Sequence, residues 1–531
     1  MRRSGADRAT LLYPFLLAAA RVLYQGWHSP GYFTLTDLYI VLGSTLGLVL
    51  LAYLVAAAVL PQPADRGLPA FCAFLAVWWL FAVPMIVDEL PRSPYQLLKV
   101  GVGIISLVLS AVVPRWLGRR PERLRTVATF LTLTGSLLVI RFAGGIAVER
   151  VQAGRLLERS ALVRELAAPI PGPARVPGPA RDLYLIVLDE YANAEVLHDA
   201  LDFDNRPFLD SLRTLGFTIP VVGSNYTQTM LALPAMLNVA HVAPLAQELG
   251  PANRDPTVPN ALLSDNRVAR FLRARGYRYV FVPSLWWHST ADSPIADSLV
   301  RVLSGFSVGR ELSETEFRRT LVKGSLLDYL YRSDGWDARY TRGTLEAIGR
   351  LPAAHHPVFE FVHVVSPHGP FVFDSDCRLP PRRAEGKKRD QYIGQLQCLN
   401  GLVLATVARL IRDSDIPPII LLQGDHGSAI HGFGEARKVE DLTPLAAWER
   451  LGAFGAYYLP GGGAKAIGDS VTVVNVMGDV LRHYFGAELP REPDERYLSV
   501  EKAPFELRRV SMEWLTRNRF DSTTRFLLPA R

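Results

Sequence analysis

Three short, largely apolar runs, spread along the chain, each end at carboxylate or imidazole side chains. The runs are residues 183–188, 358–365 and 419–423, and the side chains that follow them are Asp189 with Glu190, His368, and Asp425 with His426. Such runs are typical of strands that are buried on both faces of a parallel sheet. Because ligands bind just outside the carboxyl ends of these strands, the runs predict one shared site in an α/β fold. Its side chains are of the types that hold metal ions.

The first 148 residues contain five apolar segments of roughly the length that crosses a bilayer, about 20 residues. The segments are residues 9–24, 38–60, 67–87, 97–114 and 127–148. The mean hydropathy of the whole chain, +0.14, fits a chain that lies partly in lipid. The first segment is short and carries Arg21, and the fifth spans only if Arg141 faces the bundle or extends to the interface. Residues 1–148 are therefore predicted to form a five-helix transmembrane bundle.

Basic residues mark the cytoplasmic side of this predicted bundle. They cluster before the first segment and between the fourth and fifth, at Arg2, Arg3, Arg8, Arg115, Arg119, Arg120, Arg123 and Arg125. Because positively charged loops stay in the cytoplasm, everything after the fifth segment should lie outside it. We therefore predict a multi-pass protein of the cytoplasmic (inner) membrane whose globular part faces the periplasm or the exterior.

The chain after the bundle divides into a linker, a globular domain and a tail. Residues 149–166 have a charged, helical pattern, and residues 167–181 are rich in Pro and Gly, which favours an extended linker. We place the linker at residues 149–180, the catalytic domain at residues 181–500, where strand and helix patterns alternate, and the tail at residues 501–531.

The charge of the chain bears on nucleic-acid binding, and its cysteines bear on the compartment. The net charge of +7 is modest and the arginines are spread out, so no nucleic-acid-binding patch is predicted. Cys72 lies in a predicted span, which leaves Cys377 and Cys398 as a disulfide pair in an oxidising compartment or as two free thiols.

A candidate nucleophile lies within residues 224–238, where a polar cluster, S-N-Y-T-Q-T, precedes an apolar helical run. This pattern places a threonine hydroxyl at a helix N-terminus, where backbone N–H groups favour an anion. A neighbouring metal ion would lower the pKa of that hydroxyl and make it a usable nucleophile. Thr229 is the main candidate, and Thr227 is a second one.

Each of these residues also has a structural interpretation. Asp189 or Glu190 could cap the following helix, and Thr229 could be an N-cap. The G-D-H-G segment could be an Asx turn, although its place at a strand end favours a ligand role. The remaining histidines that we interpret as structural or surface residues are His241, His288, His355, His356 and His363.

In these motifs the chain resembles the alkaline phosphatase superfamily, and within it the membrane-anchored branch of phosphoethanolamine transferases, lipoteichoic acid synthases and sulfatase-like proteins. The family's nucleophilic threonine opens a helix in a pattern like T-x-T-x-x-S-x-P, which matches T-Q-T-M-L-A-L-P here, with Thr229 as the nucleophile. The resemblance implies that His368, in S-P-H-G-P, lies on the substrate side. It implies three metal ligands, Asp189, Asp425 and His426, with Glu190 beside the first.

Three departures from the family pattern bear on activity. The transferases carry a further histidine at a greater distance after D-H-G than His431 has here, so the role of His431 stays open. Ala232 replaces the usual serine, and Asn225 and Ala235 stand where the transferases have cysteines. The C-x-P-x-R motif, from which true sulfatases make formylglycine, does not occur at Thr229, so formylglycine chemistry is not expected.

Together these features predict a membrane-bound, metal-dependent transferase. It would move a phospho-head group, of the phosphoethanolamine or phosphoglycerol type, from a membrane phospholipid to an envelope glycan or lipid through a Thr-linked intermediate. An Asp/His ligand set suits zinc best, with manganese or magnesium as alternatives. Two other interpretations stay open: a phosphate or sulfate ester hydrolase on the same fold, and a non-catalytic membrane scaffold.

A reporter fused after Arg531 tests the predicted topology. A reporter that is active only outside the cytoplasm should be active there, because the arginine-rich loop directly precedes the last predicted crossing. A control fusion within residues 115–125 should give the opposite result. Activity of a cytoplasm-only reporter after Arg531 would contradict the topology.

Overall fold

The computed structural model describes residues 11–29, 31, 33–60, 67–83, 96–284, 292–300, 302, 315–323, 325, 333–350, 357–380 and 387–524. The chain divides into two compact units. The first contains Met1–Gly154 and Phe306–Ser333, and the second contains Arg155–Gly305 and Asp334–Arg531. The predicted catalytic domain, residues 181–500, included Phe306–Ser333, which the structure assigns to the first unit.

Helices lie in all five predicted membrane segments of the first unit. They are α1 (Tyr13–Trp27), α2 (Leu35–Val59), α3 (Gly67–Val77), which continues as a π-helical turn (Trp78–Ala82), α4 (Gln96–Gly118) and α5 (Pro121–Arg159), whose last turn belongs to the second unit. Two of them, α2 and α5, are long and apolar enough to cross a membrane, whereas the apolar stretches Gly67–Ala82 and Gly101–Leu117 are shorter. Large apolar side chains such as Leu51, Leu107 and Ile140 are exposed, as on a lipid-facing surface. The count of five spans stays a prediction.

The returning segment adds the helix Glu316–Lys323 to the first unit. Phe317 and Leu321 join an apolar cluster with residues of α1, α2 and α5. Arg318 Nε lies 2.8 Å from Asp37 Oδ1, and both side chains are buried. Asp37 also accepts a hydrogen bond from the backbone N–H of Thr34 at the start of α2. This part of the unit is therefore held by apolar contacts and by a buried ion pair.

A six-stranded sheet forms the centre of the second unit, with the strand order β4-β3-β5-β1-β6-β7. The strands are β1 (Leu183–Leu188), β3 (Arg278–Val282), β4 (Ser298–Leu299), β5 (Val358–Val364), β6 (Ile419–Gln423) and β7 (Gly455–Tyr458). All neighbouring strands are parallel except β6 and β7. The three sequence runs are thus the three adjacent central strands, β5, β1 and β6, and their carboxyl ends meet at one edge.

Strand β1 is buried on both faces, as its sequence predicts. Tyr184, Ile186 and Leu188 pack into one apolar core, and Leu183, Leu185 and Val187 pack into the other. The alternation follows from the two-residue period of a strand. A strand fixed from both sides holds the residues that follow it in a defined position.

The other elements of the second unit cover the sheet or form two small sheets. The helices are α6 (Ala161–Ala167), α7 (Ala194–Asp199), α8 (Arg206–Thr214), α9 (Thr229–Asn238), α10 (Leu245–Leu249), α11 (Thr257–Ser264), α12 (Arg267–Arg273), α13 (Ser333–Ala347), α14 (Lys388–Asp413), α15 (Pro444–Leu451), α16 (Val473–Phe485) and α17 (Met512–Arg517). Strand β2 (Val221–Gly223) pairs with β8 (Ser470–Thr472), and β9 (Arg496–Val500) pairs with β10 (Ala503–Val510). The described part of the predicted tail is therefore ordered. Cys377 and Cys398 form a disulfide.

A buried carboxyl group lies near the opposite, amino-terminal end of the central strands. Glu360 of β5 is aligned with Tyr184 of β1, and its Oε2 accepts a hydrogen bond of 3.0 Å from the backbone N–H of Gly349. Its Oε1 has no hydrogen-bond partner among the described residues. Burial raises the pKa of Glu360 to about 8. The carboxyl group is therefore largely neutral at pH 7.

Glu360 should make the unfolding free energy depend on pH. The pKa of Glu360 is higher in the folded chain than its ordinary value of 4.5, so protonation of this group favours the folded state. This contribution to the unfolding free energy is complete below the ordinary pKa and is lost as the pH rises through about 8. Glu360→Gln keeps an acceptor for Gly349 but cannot ionise. Between pH 6 and pH 8 the unfolding free energy of the wild type should fall by on the order of 2 kcal/mol more than that of the variant.

Urea unfolding of the solubilised full chain, followed by pulse proteolysis at both pH values, measures this difference. Glu346→Gln, at an exposed position, is the matched control. Parallel pH profiles for the wild type and Glu360→Gln would disprove the assignment.

Candidate active site

The carboxyl ends of β1 and β6 bring together the three residues predicted as metal ligands. One ligand atom each from Asp189, Asp425 and His426 lies within 4.8 Å of the others, and all three residues are buried. Asp189 directly follows β1, while Asp425 and His426 follow β6 by one residue. Parallel neighbouring strands end at the same level, which explains why residues so distant in sequence meet here.

The atoms at the centre of this group are acceptors that face one another. Asp189 Oδ1 and Asp425 Oδ2 are buried and have no hydrogen-bond partner among the described residues. His426 Nδ1 lies 3.2 Å from the carbonyl oxygen of Gly427, so the tautomer with its proton on Nδ1 donates to Gly427 and leaves the Nε2 lone pair for a cation. Nε2 is 3.0 Å from Asp425 Oδ2. Two carboxylate oxygens and an imidazole lone pair at these distances fit a divalent cation.

The surroundings shift the two carboxyl groups in opposite directions. Burial by itself raises the pKa of Asp189, but the side chains of His368, His363 and His426 outweigh it and lower that pKa below its usual range. Burial and the negative charge of Asp189 raise the pKa of Asp425. Burial and the Arg450 guanidinium lower the pKa of His426, which keeps its imidazole neutral. A neutral imidazole is the form that binds a metal ion.

Thr229 lies beside this group, at the first residue of α9. Its Oγ1 is 2.9 Å from His426 Nε2, and the residue is buried. The polar segment before it is fixed to the β6 loop, since Ser224 Oγ lies 2.7 Å from the backbone oxygen of Asp425. A hydroxyl at a helix N-terminus and next to the candidate metal ligands has the position expected of a nucleophile.

Thr227 has a different environment. Its Oγ1 donates to the carbonyl oxygen of Ser499 at 2.8 Å and accepts from the N–H of Ser499 at 2.9 Å. Both hydrogen-bonding functions of this hydroxyl are therefore used within the fold. Thr227 joins the segment before the nucleophile to β9, which is a structural role.

Glu190 adopts a left-handed backbone conformation, with φ of 63°. This region is strained for residues other than glycine, and such strain is common at functional sites. Its carboxylate pairs with Arg450 and lies 3.7 Å from His368 Nε2. Its carbonyl oxygen accepts a hydrogen bond of 2.8 Å from the Tyr392 hydroxyl. Glu190 thus faces Arg450 and His368, and it is not in the group formed by Asp189, Asp425 and His426.

His368 lies at the partly open side of the site, with 25 % of its side chain exposed. Burial lowers the pKa of His368, but Glu190, Asp189 and a hydrogen bond to Gly369 together raise it. The loop that carries it contains cis bonds before Pro367 and Pro370. A histidine that favours its protonated form at a partly open edge can bind an anion or donate a proton.

His431 is separate from the ligand group. Its Nδ1 lies 2.9 Å from Glu449, which raises the pKa of His431, and its side chain is 32 % exposed. Glu449 is fully buried and also accepts hydrogen bonds from Ser428 and Ile430. This glutamate therefore holds the loop after G-D-H-G, and His431 is one of its partners.

Four supporting residues of the site were not found by the sequence analysis. They are His363, Gln395, Glu449 and Arg450. His363, interpreted as structural, lies in β5 with its Nε2 3.4 Å from Asp189 Oδ2. The Gln395 amide of α14 donates to the carbonyl oxygens of Pro367 and His368 and accepts from the N–H of Val372. No sequence motif marks these residues, because they contact the site from helices and strands that are distant in sequence from their partners.

A model of the sulfatase family matches residues 184–470, which is more than half of the chain. The chain belongs to the sulfatase family. This confirms the predicted α/β catalytic domain and identifies the chain as an enzyme of the alkaline phosphatase superfamily. This chain matches the family model, although Thr229 is not part of a C-x-P-x-R sequence.

Solved structures with similar folds include phosphoethanolamine transferases. The C-terminal periplasmic domain of EcEptC from Escherichia coli, in complex with Zn, has 11% identity and a TM-score of 0.41, over 64% of this chain and 96% of that chain. The integral membrane lipooligosaccharide phosphoethanolamine transferase A (EptA) from Neisseria meningitidis has 14% identity and a TM-score of 0.38, over 90% and 95%. At these scores the similarity assigns no activity. Comparison with curated protein sequences finds no match.

Metal analysis of the purified full chain tests the ligand group. Asp189→Asn, Asp425→Asn and His426→Gln should each lose most of the bound divalent metal, because each removes one of three converging ligand atoms. His431→Gln is the matched control and should keep it, since its imidazole binds Glu449 instead. Equal metal content in all four variants would exclude this group as the metal site.

Proposed function

We propose that the chain is a metal-dependent transferase that moves a phospho-head group from a membrane phospholipid to an envelope glycan or lipid. The observation that carries the proposal is the Thr229 hydroxyl, 2.9 Å from His426 Nε2 and beside two buried carboxylates. The two membrane-length helices of the first unit support a membrane location, as a lipid donor requires. We further propose five membrane spans, with the second unit outside the cytoplasm.

Asp189, Asp425 and His426 would hold the metal ion, with zinc as the best match to the ligand set. When bound, the ion would make the Thr229 hydroxyl a stronger nucleophile and stabilise negative charge on the transferred group. The Asp189 carboxylate, whose pKa is lowered, would stay ionised as a ligand. Asp425 would also be ionised when it holds the ion, because a metal ion displaces the proton of a carboxyl ligand. The proton that Thr229 loses would pass to solvent.

Transfer would proceed in two displacements at phosphorus. In the first, Thr229 Oγ1 forms a bond to the phosphorus of the donor while the bond from phosphorus to the lipid oxygen breaks. His368, which favours its protonated form and is partly exposed, would give the lipid oxygen its proton. In the second, the oxygen of an acceptor hydroxyl forms a bond to this phosphorus and gives its proton to His368. The bond between phosphorus and Thr229 Oγ1 breaks, and Oγ1 regains a proton from solvent.

A hydrolase of phosphate or sulfate esters is the second candidate, and the match to the sulfatase family favours it. Both reactions would share the Thr229 intermediate and differ only in the second displacement, where water replaces the glycan or lipid hydroxyl. Incubation with labelled phospholipid, with and without an added glycan acceptor, separates them. Label on the glycan indicates a transferase, and release of label to water alone indicates a hydrolase.

Mass spectrometry of the peptide that contains Thr229 tests the nucleophile. Protein purified from native membranes should carry a phosphoethanolamine, phosphoglycerol or phosphate adduct on Thr229. Thr229→Val should carry none and should lose activity by about a thousandfold or more, because it keeps the side-chain shape and removes the nucleophile.

The same substitution two residues earlier is the matched control. Thr227→Val should lower stability by about 1–3 kcal/mol, since it leaves the backbone N–H of Ser499 without its acceptor, but it should keep the adduct. An adduct on Thr227, or full activity in Thr229→Val, would refute the proposed nucleophile.

A further inference from the structure

One buried arginine contacts three of the segments that form the site. Arg450, on α15, donates from Nε to the carbonyl oxygen of Thr227 at 2.9 Å and from Nη1 to that of Gly427 at 3.1 Å. Nη1 also pairs with the Glu190 carboxylate. Arg450 thus joins the segment before the nucleophile, the loop after β6 and the loop after β1.

These contacts fix the orientation of the guanidinium group. Its central carbon lies 4.8 Å from the centre of the Phe433 ring, so that one face is covered by an aromatic side chain. Nε and Nη1 are both occupied by acceptors of the fold. The third nitrogen, Nη2, has one acceptor among the described residues, His426 Nε2, at 3.1 Å.

The same His426 nitrogen is needed for the metal ion. A ligand nitrogen must offer a lone pair, and the tautomer that offers it at Nε2 has its proton on Nδ1, 3.2 Å from the carbonyl oxygen of Gly427. When this lone pair binds a metal, Nη2 of Arg450 requires another acceptor, because a buried cationic donor is rarely left unpaired. Thr229 Oγ1 lies 2.9 Å from the same Nε2 atom, so Oγ1 and Nη2 both border this nitrogen, and a phosphoryl group on Oγ1 would have an oxygen within reach of Nη2.

We propose that Arg450 is an oxyanion-binding residue of the active site, whose Nη2 donates to an oxygen of the phosphoryl or sulfuryl group transferred through Thr229. This inference rests on the proposed function and adds a substrate-contacting residue to it. A guanidinium held by three other acceptors would meet the charge that develops on this group without moving. The ligand class is a tetrahedral oxyanion, for which planar guanidinium donors are well suited.

Binding of inorganic phosphate to the metal-loaded full chain, measured by calorimetry, tests the proposal. Arg450→Gln should weaken phosphate binding at least about tenfold with unchanged metal content, because it removes a charge-assisted hydrogen bond. Arg450→Lys should lie between Arg450→Gln and the wild type, since it keeps the charge and loses the fork. Arg409→Gln is the matched control and should bind phosphate like the wild type, as Arg409 binds the carbonyl oxygen of Ile348 instead.

Unchanged phosphate affinity in Arg450→Gln would overturn the proposal, and so would a parallel loss of metal and phosphate, which would indicate a structural role. If the variants do not fold, a structure of the wild type with bound vanadate decides. A vanadate oxygen within hydrogen-bond distance of Nη2 supports the inference, and its absence overturns it. An adduct on Thr229 together with unchanged binding in Arg450→Gln would refute this inference alone, whereas a wild type without adduct or phosphate binding would refute the proposed function as well.

Discussion

The rest of the site depends on the burial of Asp189 and Asp425 side by side. Two carboxylates in a dry interior raise each other's free energy unless positive charge lies close to them. The fold cannot avoid this juxtaposition, because the residues follow neighbouring parallel strands that end at one level. Arg450 and His368 supply positive charge beside Asp425 and Asp189. A divalent ion would supply more.

The strands bring the candidate metal ligands together, and two helices hold the loops on which those side chains lie. From α14, Tyr392 binds the carbonyl oxygen of Glu190 and Gln395 binds the histidine loop. From α15, Glu449 and Arg450 bind the loop after β6. Gly427 lies so close to α15 that a Cβ there would collide with the carbonyl oxygen of Glu449. The glycine of this motif is therefore required by the contact with a helix, whereas the aspartate and the histidine are the proposed metal ligands.

The sequence predicted the parts of the site that follow regular patterns. Apolar runs that end at Asp189 and Asp425 identify buried strands, and the polar segment before an apolar helix identifies Thr229, because both patterns are local. Arg450 and Gln395 could not be predicted, since their partners lie in loops distant in sequence and a charged residue on a helix usually faces solvent. The placement of residues 306–333 was missed for a similar reason. The helix in this segment, Glu316–Lys323, is short, and only tertiary contacts show which apolar core it joins.

The return of residues 306–333 to the first unit affects how the chain can be divided. The two units are interleaved in sequence, so a cut in the proline-rich linker does not separate them. A fragment that begins after this linker would expose Phe317 and Leu321 to water and leave Arg318 without its aspartate. Such a fragment would tend to self-associate through the uncovered helix, whatever the state of its catalytic centre. A water-soluble fragment that begins after the linker would therefore also need this helix, Glu316–Lys323, removed.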